Sequence, residues 1–497
     1  MEKPKMEHIE EGHASSLPDS CDVPCQDNLP AEHRQYLLRR HGTLDLSPVP
    51  SMSDADPFNW PAWKKILNLA LISFHAMMAT FTAAAIQSAF VEIAQDLRVS
   101  VQQASYLTSL VIAIIGGAPL FWKPFADRYG RRPIFLISLV CSLVGNIGCA
   151  KSPSYATMGL CRAITAFFIC PAAAIGSAVV SEMFFERDYA RCMGAWALMV
   201  TLGVPSAPFI FGFVVHQVGY RWIYWILVVV NAIQLILWFF FGSETLFERS
   251  ATHDTDFKQQ YFRFKRIGST PLRVRDFIYP LSFAARLCVM IPSLSYSMVF
   301  LFASILISIE IPQIFAEKFH LDAQQIGLQS LAIIIGSVIG EQFGGYLSDR
   351  WMWARQKRSG ISPAPEYRLW LSYLGISLSI CGIVVFLIQT EKASAHWNIT
   401  PLIGAAIAAV GNQIVTTVNI TYAVSCYRSE AASVGVFITF VRQTWGFIGP
   451  FWFPQMLEKV GLYASNGIII ALLVVGSVVP TFIVQWQGHK WRGDTNL

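Results

Sequence analysis

About twelve apolar blocks recur along this chain, each long enough to cross a bilayer, for which about 20 residues suffice. They fall near 66–89, 104–122, 133–150, 156–181, 192–214 and 221–242, and again near 288–313, 326–347, 369–389, 401–425, 432–454 and 464–486. Backbone polar groups inside hydrocarbon must pair within their own segment, so blocks of this kind are expected as helices. Composition agrees. Charged residues make up 14% of the 497 positions and hydrophobic ones 54%, whereas a soluble chain carries about 25% charge. Too little polar surface remains to coat a water-facing globule, which excludes a soluble enzyme, a coiled coil and a disordered scaffold. The expected fold class is an all-α integral membrane protein of about 12 transmembrane helices in two sets of six.

The polar stretch 243–280 divides the sets and carries Arg249, Lys258, Arg263, Lys265, Arg266, Arg273 and Arg275. The organisation expected is a disordered cytosolic tail (1–56), a first six-helix half (57–242), a cytosolic middle loop (243–280) and a second half with a short cytosolic tail (281–497). Lysine and arginine set the orientation. The tails and alternate loops of one side together hold 28 of them, most in the leading tail, the middle stretch and the loops after the second and eighth blocks, against 6 on the other side, one per loop: Arg98, Lys151, Arg221, Lys318, Lys392 and Lys459. The positive-inside rule then puts both termini in the cytosol, with Trp60 and Trp63 in an interfacial belt beside Lys64 and Lys65. Asn398-Ile399-Thr400, a glycosylation sequon, falls in an outer loop. Cysteines such as Cys141, Cys149, Cys161, Cys170, Cys288 and Cys381 lie inside apolar blocks as small hydrophobes. Cys21 and Cys25 have no second pair at metal-ligand spacing, so no metal site is expected. The net charge of +5 is modest and gives no ground for a nucleic-acid partner, and none is expected.

A repeat joins the halves. Phe125-Ala126-Asp127-Arg128 follows the second block and Leu347-Ser348-Asp349-Arg350 the eighth, each with further positives behind it. Duplicated six-span halves suggest substrate held between them near midplane. The loop Asp127-Arg128-Tyr129-Gly130-Arg131-Arg132 resembles the inner-loop signature of the major facilitator superfamily, with Lys123 at a position usually glycine. Within that superfamily the chain is similar to the fungal twelve-span drug:proton antiporter-like group. The resemblance implies a major facilitator fold and a conformational latch of Asp127, Arg128, Gly130, Arg131, Arg132, Asp349 and Arg350, with Asp127 against a helix N-terminus of the other half. Gly194, Gly203, Pro208 and Gly212 resemble the antiporter packing motif of the fifth span, with Ala207 and Phe211 at two of its glycine positions. Gly242-Ser243-Glu244-Thr245-Leu246-Phe247-Glu248-Arg249 is similar to the end of the sixth span in fungal members. Phe440 to Trp452 resembles a branch of polyamine and cation carriers, although Ser425 replaces the aspartate usual before Cys426-Tyr427.

Ionisable groups inside a bilayer cost about 2.5–3.5 kcal/mol each and so mark function. Arg162, Glu341, Glu310 and Arg442 are the candidates for proton and charge handling, Arg162 by its match to a family arginine. His75, Asn412, Gln413, Asn419 and Gln443 are candidates for the substrate cavity, and Asn231 and Gln234 also need partners at membrane depth. No catalytic constellation, phosphate-cradling loop or Walker lysine is present, so neither an enzyme nor a primary pump is expected, and no cofactor. The resemblance implies a proton-coupled secondary transporter working as a monomer by alternating access. It would export a small organic compound, such as a drug, toxin or secondary metabolite, across the plasma membrane. The alternative is an importer of a polyamine, another cation or a small nutrient.

Overall fold

A computed structural model of the chain describes residues 29–44, 46, 48–247, 272–359, 364–393, 396–427 and 430–493. No strand occurs among the described residues. Among the described residues, twelve helices are long and apolar enough to span a membrane: α1 Ala62–Leu97, α2 Val101–Tyr129, α3 Arg131–Ala150, α4 Tyr155–Met183, α5 Arg191–Val218, α6 Arg221–Phe241, α7 Leu287–Phe319, α8 Ala323–Arg358, α9 Pro365–Lys392, α10 Thr400–Cys426, α11 Ala431–Phe451 and α12 Leu462–Trp491. All twelve apolar blocks are thus helices. Several run past their block because a helix continues where charge begins, as α8 does beyond residue 347. An even number of spans leaves both ends of the bundle and the α6–α7 connection on one face, called here the terminal face. The opposite one is the distal face.

Local sequence explains the helix boundaries. On the distal face, Ser100 and Gln103 close a capping box at α2, Ser154 and Thr157 at α4, and Asp322 and Gln325 at α8. On the terminal face α2 passes into α3 through Gly130, whose φ of 96° suits glycine. Glycines also let α9 and α10 pack backbone to backbone: a Cβ on Gly382 would lie 2.2 Å from the Ala408 nitrogen. α7 contains a π-helical turn at Leu301–Leu306 and α8 another at Phe343–Leu347.

The halves meet firmly toward the distal face. Gly212 of α5 lies against Ala323 and Gly327 of α8, and nearer mid-depth Gly116 of α2 lies against Gln443 of α11. Gln102 donates to the Pro450 carbonyl (2.9 Å), and the Tyr106 and Phe451 rings stack at 4.7 Å. His216 Nδ1 lies 3.5 Å from an Asp322 carboxylate oxygen across the same seam. Burial along α5 follows this closure. Gly203, Pro205, Ala207, Pro208, Phe211 and Gly212 are buried, whereas residues 191–200 include no buried position. Near the terminal face, the segment before α7 joins the halves: Arg128 donates to Asp276 (2.9 Å), and Phe277 packs on Phe121 and Phe125.

The expected disordered tail through residue 56 holds a folded part, which corrects that boundary. Residues 1–28 lie outside the described residues, but Ala31–His41 is a helix. Leu29, Leu37 and Leu46 form a small core against Tyr36, Leu44, Val49 and Phe185 of the α4–α5 turn. Asn59 receives Arg40 on its carbonyl (2.9 Å) and itself donates to the Ser51 and Ser53 carbonyls. Averaging composition over 56 mostly polar residues hides these leucines.

Candidate functional site at the seam between the halves

At mid-depth one polar chain crosses the seam. Gln413 of α10 donates its amide to the Glu341 carboxylate of α8 and, at 3.4 Å, to the Thr201 hydroxyl of α5 in the other half. Thr417, one turn along α10, donates to the same Glu341 oxygen at 3.4 Å. Glu341, Thr201 and Thr417 are half-buried, while Gln413 is buried. Small residues draw α8 onto α10: a Cβ on Gly340 would lie 2.8 Å from the Gln413 Cβ. The π-helical turn begins two residues after Glu341, and such turns often mark functional sites. Neighbouring Asn412 is half-buried, and its side-chain oxygen has no partner. A carboxylate, an amide and hydroxyls here can receive and give hydrogen bonds without rearranging backbone.

The remaining membrane charges lie apart from this chain. Arg162 is 2% exposed. It donates to the carbonyls of Leu107 (3.3 Å), Thr82 (3.5 Å) and Ala83 (3.2 Å) and to the Tyr224 hydroxyl (3.4 Å). Its immediate work is to tie α4 to α1, α2 and α6. Arg442 is half-buried and donates to the Tyr296 hydroxyl at 3.0 Å. Glu310 is buried, with one carboxylate oxygen unpartnered. Nearby Ser308, Ile311 and Pro312 line a small void with Gln87, Pro205 and Pro208 of the first half.

Two expected cavity residues lie elsewhere. His75 is fully buried within the first half, where Nε2 is 3.2 Å from the Ser138 hydroxyl and the ring meets Phe135 and Trp238 edge-on. Asn419 is buried inside the second half, accepting from Ser372 at 2.9 Å. A polar residue in an apolar block signals depth, but its helix face decides whether it sees the seam or the packed interior. Gln443 does lie at the seam, against Gly116, with its side-chain oxygen unpartnered.

The latch residues form a compact terminal-face network, mostly within the first half. Asp127 is held by Lys123 (3.0 Å) and Arg131 (2.6 Å), and Arg131 also binds Glu182 (2.7 Å). Both charge partners of Asp127 belong to its own half, and it is Arg128 that pairs with Asp276 of the segment before α7. Lys123, the departure from the usual glycine, supplies a charge partner. Sequence reasoning missed Glu244, which accepts from the backbone N–H of Arg131 (2.8 Å) and Arg132 (3.0 Å) at the N-terminus of α3. Burial outweighs those donors and pushes its carboxyl above the usual carboxylate range. The signal was the Glu244-Thr245 pair after the sixth block, since Thr245 also binds Glu182 (2.7 Å). Arg132 donates to the Phe239 carbonyl at 2.8 Å. In the second half, the Asp349 side chain lies outside the described residues, and Arg350 stacks over Tyr346.

The α5 motif divides in two. Gly203 touches α1, where a Cβ would lie 2.1 Å from Thr80 Oγ1, and Gly212 touches α8, whereas Gly194 faces open space. Pro208 is buried, its carbonyl against Gly327. Asn398 is exposed in the α9–α10 connection, on the distal face.

Comparison with known proteins fits this architecture. An efflux pump of Penicillium aethiopicum is 26% identical, covering 88% of this chain and 92% of its own. A major facilitator superfamily multidrug transporter of Candida albicans is 23% identical, covering 88% of this chain and 73% of its own. Among solved structures, a bacterial homologue of the human lysosomal transporter Spinster, in an inward-facing and unoccupied conformation, matches with a TM-score of 0.58. At 14% identity over 87% of this chain and 99% of the other, it bears on the fold alone. The profile of the Major Facilitator Superfamily matches residues 70–450. With two six-helix halves meeting along a polar-bridged seam, the chain belongs to the Major Facilitator Superfamily.

Proposed function

We propose that this protein is a proton-coupled secondary transporter that exports a small, largely hydrophobic organic compound by alternating access. The observation that carries the reading is the Glu341–Gln413–Thr201 chain, which ties the halves at mid-depth below a sealed distal side. A carboxylate in such a seam can take a proton when cargo leaves and release it when cargo returns. The relatives named for efflux and multidrug transport favour export. Lysine and arginine crowding favours a cytosolic terminal face, which would turn the sealed distal side outward and make Asn398 there a glycan acceptor. The surface membrane is the expected location for an exporter acting as a monomer.

The test is dye export from vesicles containing the purified protein, with a pH gradient imposed. Wild type should move a hydrophobic dye against its gradient only while protons run the other way. Glu341→Gln should lose that pumping while retaining dye exchange at equal concentrations. Pumping by wild type without any pH gradient, or full pumping by Glu341→Gln, would overturn the reading.

A further inference from the structure

Arg162 in α4 and Arg442 in α11, both at membrane depth, are served very differently. Arg162 has carbonyls or a hydroxyl on each of its nitrogens and is shut away. Arg442 is half-exposed about 16 Å into α11 from Ala431, by the 1.5 Å rise per residue. Exposure of a guanidinium at that depth means water rather than hydrocarbon beside it. Its next neighbour, Gln443, packs on Gly116 of the other half, so Arg442 lies beside the seam between the halves.

The surroundings of Arg442 hold its plane but do not answer its charge. Nη1 donates to Tyr296, the guanidinium carbon lies 4.8 Å from the Phe300 ring centroid, and Nε is enclosed without a partner. No carboxylate lies within ion-pair distance of it among the described residues. The π-helical turn of α7 begins directly after Phe300. A carboxylate such as Glu341 can shed its charge by taking a proton, but a guanidinium cannot. Compensation for Arg442 has to arrive and depart, and the mobile species in this space is the cargo.

We propose, resting on the export reading above, that Arg442 is the anchor for an acidic group, a carboxylate or enolate, on a flat aromatic cargo. Its planar fork matches a carboxylate with two parallel hydrogen bonds, and Phe300 and Tyr296 offer ring faces beside it.

The test uses two dyes on the same three-ring scaffold, anionic fluorescein and cationic rhodamine 123, with neutral Nile red as a control. Binding to the purified full-length protein is read by fluorescence anisotropy, and transport in vesicles. Wild type should hold fluorescein more tightly than rhodamine 123. Arg442→Gln should weaken fluorescein at least about 10-fold, the scale of a lost charge-assisted pair, and Arg442→Lys should weaken it less. Both variants should hold Nile red as wild type does. Tighter binding of rhodamine 123 by wild type, or fluorescein binding indifferent to Arg442→Gln, would overturn the inference. Equal loss of all three dyes would do the same, because it marks a packing role. If wild type exports Nile red while fluorescein ignores Arg442, only this inference falls; if wild type binds the dyes but moves none, the export reading falls.

Discussion

Replacing Gly212 with alanine should unseat the distal seal. A Cβ there would lie 2.7 Å from the Ala323 carbonyl oxygen and 3.0 Å from the Gly327 Cα. Both are backbone atoms of α8, so neither can swing aside as a side-chain tip would. Overpacking of this kind costs about 1–3 kcal/mol. The strain exists only while the halves touch at this face, so it falls on the closed state. At 1.4 kcal/mol per factor of ten, the ratio of distal-open to distal-closed protein should rise about 5-fold to about 150-fold. The readout is thiol labelling. Ser330 lines the void beneath the seal, and Ser330→Cys on a cysteine-free background meets a membrane-impermeant maleimide only when that side opens. Gly212→Ala should raise its labelling rate by the stated factor. Gly194→Ala, in the same motif but with nothing within 4 Å of the new methyl, should leave it unchanged. Wild-type labelling in Gly212→Ala, or equal effects from the two alanines, would refute the reasoning.

Other substitutions probe separate parts of the framework. Arg162→Ala removes donors serving α1, α2 and α6, so it should lower stability by about 3 kcal/mol; an unchanged melting temperature with transport lost would instead assign Arg162 to proton handling alone. Asp127→Asn breaks ion pairs to Lys123 and Arg131 that are partly solvent-screened, and should slow turnover about 2-fold to about 5-fold without changing the apparent affinity. An unaltered rate would remove Asp127 from the conformational step. Leu37→Asp places a charge in the small core of the leading helix, whose leucine burial is worth about 1.5–3 kcal/mol. Trypsin should then cut at Arg39 or Arg40 at least about 10-fold faster, and wild-type cleavage would mean that the segment is not held by that core.

The membrane architecture was legible because hydrocarbon leaves a spanning segment few alternatives to helix, and twelve apolar blocks became twelve helices. The site was legible by residue type more than by place. Glu341 and Gln413 were singled out separately, and the structure brings them together; Thr201, which completes the crossing, sits in a run of small and apolar residues and carries no signal of its own. His75 and Asn419 show the limit of reading polarity without helix orientation, since both face packed interiors. Glu244 was visible within a motif, but its use as a cap on α3 depends on a contact 112 residues away in sequence.

Locking the seam tests the central claim that the halves must part at the distal face during each cycle. His216 and Asp322 approach across it to 3.5 Å, so His216→Cys with Asp322→Cys should form a disulfide under mild oxidant. The oxidised double variant should carry no dye, reduction should restore transport, and each single variant should be indifferent to oxidant. Undiminished transport with the cross-link verified by mass spectrometry would show that cargo crosses without the halves separating there.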